Sequence, residues 1–319
     1  GNAMINYVHL LIQVFRLVRL HILPLLRRHM TYENFKDSII QHLLKDIPEP
    51  KKITIRSFTR NNGQKLDGLI ILQNDLNIAP TIYLNSYFAD HQNGTPFYDI
   101  YEHILKTYQR YQPSESINAS FFKDFQRVRP HIVYRLINYQ MNQELLQSVP
   151  HFQFLDLAIV FYYLLHTDRT GSASILIQND HLTNWAVDAD ILLRLAKENT
   201  PRLLPYELQD MYQILEHNLY SDLTDPYPMF VLSNRSHLNG ACCILYQNLL
   251  KQISDTMESD FYILPSSVHE VILIPATDRT SISELSEMVQ EVNGTEVAHD
   301  EVLSQHAYYY SRKDHCVSM

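Results

Sequence analysis

The sequence predicts an α+β fold of two mixed helix/sheet units, the second with a mainly antiparallel sheet covered by helices. Three observations carry that reading. β-rich runs come in hairpin-like pairs, amphipathic runs at helical spacing stand between them, and the two kinds do not alternate strictly as a doubly wound parallel sheet requires. A chain of 319 residues, 45% apolar and 19% charged, suffices for a core without metals or disulfides.

Residues 1–29 read as an extension outside the fold. The stretch 8–26 is apolar, but central Arg16 and Arg19, each about +3 kcal/mol in a bilayer, nearly cancel its insertion energy. Gln13, His9, His21 and Pro24 tip the balance against a span, and no small-residue cleavage site follows. The reading is a leader or remnant, with a cationic amphipathic helix on a membrane surface as its rival. The fold then starts at Met30.

The first unit is placed at 30–150. Thr31 can cap a helix with Phe35, Ile39, Ile40, Leu43 and Leu44 on one face. Strands are predicted at 53–59, 66–72 and 81–88, with Asn62-Gly63 as the hairpin turn between the first two. Phe97, Ile100, Tyr101, Ile104, Leu105 and Tyr108 repeat at helical spacing, and SINASFFKDF is a second helix-like piece. HIVYRLIN (131–138) reads as a strand and NQELLQSV as a helical turn.

The second unit is placed at 151–315. It opens with a buried strand at 156–166, a turn at Asp168–Gly171 and a partner strand, SILIQN. Helices are predicted at 188–199, stopped by Pro201, and at 206–218. MFVLSN reads as a strand and 240–258 as one helix. FYILP and EVILIP are apolar runs suited to central strands. Ser281 and Glu284 make a capping box for a helix stopped by Asn293-Gly294. SQHAYYYS is the last strand, and the tail after Arg312 reads as loose.

Composition excludes several functions. Seven glycines disfavour a phosphate-cradling loop, and a net charge of −9 disfavours general nucleic-acid affinity. Cys242, Cys243 and Cys316 make neither a disulfide framework nor a spaced zinc site, which suits a reducing cytoplasm. The sixteen histidines lack ligand spacing, so neither a metal nor a cofactor is expected. Asn93, Asn118, Asn234 and Asn293 begin N-x-S/T tripeptides, which mean little without a secretory route.

The runs RLINYQMNQELLQSVPHFQFLDLAIVF (135–161), FYILPSSVHEVILIP (261–275) and EVLSQHAYYY (301–310) resemble the bacterial family DUF5688, known from Clostridia, over about Met30 to His315. The layout from Asp180 through Trp185 to FYILPSSVHEVILI is similar to the C-terminal half of DUF1444 proteins. Neither resemblance implies an activity.

Ser266, Ser267, His269 and Glu270 form the densest polar cluster. Ser266, His269 and Glu270 are the residue types of a nucleophile, base and orienting acid. Against this, His269 and Glu270 point to opposite faces of an extended strand, no G-x-S-x-G elbow is present, and Pro265-Ser266-Ser267 already makes a turn. Asn138, Asn142 and Asp156 are candidates for a polar binding pocket, although capping and turn roles explain them too. Lys51, Lys52, Arg56, Arg60 and Lys65 mark either an anion-binding surface or a solvated face. Asp67 resembles the first acid of some nuclease cores but lacks the following E-x-K. Trp185 is expected to pack the HLTNW turn against the sheet.

These residues point to a non-enzymatic cytoplasmic module that binds a protein or small ligand. Many tyrosines and absent catalytic spacing motivate it. The rival is a hydrolase using the cluster at 266–270.

Overall fold

The computed structural model describes residues 30–47, 52–72, 79–112, 122–168, 171–211, 228–277 and 281–319. The extension 1–29 and most of SINASFFKDF lie outside them. The described residues are a mixed α+β protein, all of whose strand pairings are antiparallel. They fall into two compact units, 30–112 and 122–319. The division comes earlier than residue 150 because the strand at 132–138 pairs along its whole length with the strand opening at Leu157.

In the first unit, α1 (Tyr32–Asp46) begins where Thr31 Oγ1 accepts a 3.2 Å hydrogen bond from Asn34 N. Phe35, Ile39 and Leu43 are buried at i, i+4 and i+8, while Leu44 at the rim of that stripe is 51% exposed. β1 (Lys52–Thr59) and β2 (Lys65–Leu72) form a hairpin through Asn62 and Gly63, both at positive φ. β3 (Thr81–Tyr83) pairs with β2. The strand expected over 81–88 stops there, and α2 (Leu84–Gln92) takes the rest, because Leu84, Tyr87 and Phe88 recur at helical spacing and pack into the core. α3 (Phe97–Tyr111) buries Ile100, Tyr101, Ile104 and Tyr108.

Alternation along the strands divides this sheet. Ile53, Ile55, Leu69, Ile71 and Ile82 face the helices. The other side carries Lys52, Thr54, Arg56 and Phe58 from β1, then Leu66, Gly68, Ile70 and Leu72 from β2, with Thr81 and Tyr83 from β3.

The second unit opens with α4 (Phe125–Val128). β4 (Ile132–Asn138) follows, then α5 (Gln143–Leu146), β5 (His151–Phe154), β6 (Leu157–Asp168) and β7 (Gly171–Leu176). β6 pairs with β4 on one side and with β5 and β7 on the other. After α6 (Asn179–Trp185), α7 (Ala189–Leu203) covers the free edge of β4. Asn199 Nδ2 donates to Ile132 O at 3.0 Å, and Tyr134 N donates to Thr200 Oγ1 at 3.1 Å. Helix side chains thus complete backbone bonds that an open edge would leave for another strand. Those contacts carry the helix through Pro201, where the sequence reading stops it.

β8 (Tyr206–Asp210) is a strand where the sequence suggests a helix, since all five residues pair with β9 (Phe230–Asn234); the rest of that expected helix, 212–218, lies outside the described residues. The single helix expected over 240–258 is broken into a 3₁₀ segment, Gly240–Leu245, and α8 (Leu249–Met257), with Asn248 at φ 61° between them. Gly240 anchors the break: a Cβ there would meet Asn234 N at 2.5 Å and His269 O at 2.6 Å. β10 (Phe261–Leu264) and β11 (Val271–Pro275) are the central pair of a sheet ordered β13-β12-β10-β11-β9-β8. α9 (Ile282–Thr295) starts at the Ser281–Glu284 capping box and passes through Asn293-Gly294. β12 (Tyr308–Ser311) is shorter than predicted, and the supposedly loose tail forms the edge strand β13 (Cys316–Ser318). No helix among the described residues is long and apolar enough to cross a membrane.

Candidate functional site

Residues 301–308 form a strap to which both groups of sequence candidates attach. On one side the strap bonds the loop between β10 and β11. Val268 N donates to Glu301 O at 2.8 Å, Leu303 N to Ser266 O at 3.1 Å and Ser304 N to Pro265 O at 3.0 Å. On the other side it meets the ends of β4 and β6. Asn138 Nδ2 donates to Leu303 O at 2.9 Å, and Ser304 Oγ donates to Asp156 Oδ2 at 2.7 Å. Tyr308 OH donates to Asp156 Oδ1.

Asn138, Asn142 and Asp156 do converge, and their polar atoms bond inward. Asn138 Oδ1 accepts from Met141 N at 2.8 Å, and Asn142 Nδ2 donates to Asn138 O at 2.8 Å. Asn138 and Asn142 are buried, as is Ser304. Burial and the Asp156 carboxylate push the Tyr308 phenol far above its ordinary range, so it remains a donor. Sequence reasoning missed Ser304 and Tyr308, although both lie in the motif EVLSQHAYYY.

At the other end, His269 meets Ser267, Glu270 and Glu301. Its Nδ1 accepts from Asn239 N at 3.1 Å, and its Nε2 lies 3.3 Å from Glu301 Oε1. Its backbone N donates to Ser267 Oγ at 3.0 Å, and its carbonyl accepts from Ser233 Oγ at 2.7 Å. The Glu301 hydrogen bond raises the His269 pKa against the opposite pull of burial, and His269 lowers that of Glu301. The Asn239 N–H opposes this, since a protonated ring would set two N–H donors face to face. With Nδ1 accepting from that amide, the neutral ring carries its proton on Nε2, toward Glu301. Burial also raises Glu270, whose charged neighbours are His269, Glu301 and His237. His237 Nε2 in turn lies 3.0 Å from Glu207 Oε2.

For nucleophilic catalysis the imidazole must take a proton from a hydroxyl through one nitrogen while the other is held by an acid. Here the second nitrogen is held by a backbone amide. Ser267, rather than Ser266, is the hydroxyl brought to His269, and it contacts the backbone N–H. No set of three His, Cys, Asp or Glu among the described residues is placed to hold a metal ion. Cys242 and Cys243 are buried in the 3₁₀ segment, and burial pushes the Cys242 thiol up to about 12. Asn234 and Asn293 are buried and hydrogen-bonded within the fold, which removes both as glycan acceptors in the folded chain. Trp185 packs against Phe122 and Phe125, and its Nε1 donates to Phe122 O at 2.8 Å.

The outward face of the first unit's sheet is of a different kind. Arg56, opposite Gly68 and through it Tyr83, is exposed, as are Lys52, Arg60 and Thr81, whereas Lys65, opposite Thr59, falls on the other side with Asp67. Phe58 lies over Gly68: a Cβ on that glycine would fall 2.7 Å from the phenyl ring. Phe58 and Tyr83 meet edge to face at 6.1 Å, and the Arg60 guanidinium sits 4.8 Å from the Tyr83 ring centre. Among the described residues no carboxylate stands on this face. Asp67 points to the helix side, where Lys36 Nζ reaches it at 3.2 Å. Lys51 lies outside the described residues.

Three antiparallel strands backed by helices, followed by a unit of two antiparallel sheets, define a mixed α+β protein. The chain belongs to DUF5688, a family of unknown function, whose model matches residues 32–312. No curated protein and no solved structure matches it.

Proposed function

We propose that the protein is a non-enzymatic binding module, and that its first unit engages an acidic protein surface through the open face of β1–β3. One observation carries this reading: three cations, Lys52, Arg56 and Arg60, share that face with Phe58 and Tyr83, and no carboxylate stands on it among the described residues. Aromatic rings and arginine at the centre with a charged rim are the anatomy of a protein contact. The chain's overall negative charge favours a protein over nucleic acid as the source of the opposing charge.

The test is fluorescence anisotropy of the full chain with a labelled Glu-rich peptide containing tyrosine and leucine. The expected result is binding that weakens with salt, falls about tenfold or more in Arg56→Ala/Arg60→Ala, and survives His269→Ala. Preference for a labelled single-stranded oligonucleotide would overturn the protein reading. Turnover of ester or peptide substrates lost in His269→Ala would restore the hydrolase.

A further inference from the structure

We infer that the acidic surface this face takes is that of α9 on a second copy of the same chain; the inference rests on the reading above and names its partner. Between Thr280 and Ser311 the chain has six carboxylates, Glu284, Glu287, Glu291, Glu296, Asp300 and Glu301, and neither lysine nor arginine. Glu284, Glu287 and Glu291 fall at i, i+3 and i+7 on α9 and are exposed, so they form one acidic stripe on the side away from buried Leu285 and Val289.

The stripe borders a groove of about 450 Å³ whose lining mixes Ser286, Glu287 and Gln290 with Ile282, Ala307 and Met319. The basic face is its counterpart in charge. Phe58, half-buried across Gly68, and Tyr83 make an aromatic patch beside Arg56 and Arg60. Placing the aromatic patch against the groove would set the guanidinium groups beside an acidic stripe, where opposite charges meet. The ring desolvates at little cost because it is already apolar, and the ionic flanks stay at the rim, where they set register and encounter rate more than affinity.

The two surfaces differ, so the contact is heterologous. Each copy offers one basic face and one acidic stripe, and association either closes as a ring or continues as a chain of copies. This asymmetry gives a test that a self-complementary contact would fail. Arg56→Glu/Arg60→Glu makes both surfaces acidic; Glu287→Lys/Glu291→Lys makes both basic.

Sedimentation velocity of the full chain across a concentration series should show reversible association of the unsubstituted protein that weakens about tenfold or more from low to high salt. Each reversed variant alone should stay monomeric at low salt, with an unchanged far-UV circular dichroism spectrum. An equimolar mixture of the two should associate again, because every contact then joins opposite charges. An unsubstituted chain that stays monomeric, association indifferent to salt, or a mixture that fails to recover would each overturn the inference. Peptide binding that persists while the chain stays monomeric would refute the second copy alone. Loss of both would also refute the binding reading.

Discussion

The strap at residues 301–308 and the outward face of β1–β3 both gather chemically capable side chains, and they use them in opposite ways. At the strap, an aspartate, two asparagines, a serine and a tyrosine lie within hydrogen-bonding reach. Asp156 accepts hydrogen bonds from two hydroxyls, and Asn138 bonds both Met141 N and Leu303 O. On the sheet face, cations and rings project from a hairpin whose apolar alternate positions are already satisfied by the helices behind. Density of polar chemistry therefore does not mark a binding surface. What matters is whether the groups answer one another or still face outward, and buried groups that answer one another serve specificity of fold.

The largest expected effect belongs to the core on which the strap rests. Leu273 on β11 is fully buried in the core of the second unit, and Leu273→Ala should cost about 2–5 kcal/mol in urea unfolding. The strap itself should come next. Asp156→Ala leaves the hydroxyls of Ser304 and Tyr308 without their acceptor and should cost about 1–3 kcal/mol, measured in the same way. A neutral Asp156→Ala would break the comparison, because the cluster would then be idle in folding and open to a ligand.

Much of the fold was legible in the sequence. The Thr31 cap, the Asn-Gly hairpin, the Ser281–Glu284 capping box and the apolar runs at 261–275 each carry their own local signal, and each lies where that signal puts it. Readings failed where a tertiary contact outweighs propensity. Tyr206–Asp210 is a strand because β9 lies beside it, and residues 240–258 break because Gly240 is pressed against two backbone segments. The site was legible in half. Asn138 and Asp156 stood out beside turns, but Ser304 and Tyr308 lie 148 and 152 residues from Asp156, a separation no spacing rule spans. Likewise His269 was visible and Glu301 was not.

A smaller effect separates surface acids from buried ones. Asp260 accepts from Tyr309 OH at 2.5 Å and from Arg312 N at 2.7 Å, tying β10 to β12, and these bonds hold its pKa below the ordinary value. A depressed folded pKa contributes stability above the unfolded value of about 3.9, lost as pH falls through the folded one. The gap in urea midpoint between the unsubstituted chain and Asp260→Asn should hold from about pH 7 to pH 5 and close below about pH 4. A gap that widened in acid would reverse the assigned sign.

The smallest effect on stability falls on the sheet face, and its smallness is what sharpens the contrast. Arg56 is exposed and stands opposite Gly68, a residue with no side chain for it to pack against. Arg56→Ala should therefore change the unfolding free energy by no more than about 0.5 kcal/mol, as surface substitutions away from packed features do. A larger loss would mean that the guanidinium stem covers Phe58 or Ile70 as part of the fold, and the face would then belong with the strap among groups that answer one another. Neutral stability combined with weaker peptide binding is the pair of results that sets the two regions apart. A structural residue moves both measurements together, whereas a contact residue moves only the second.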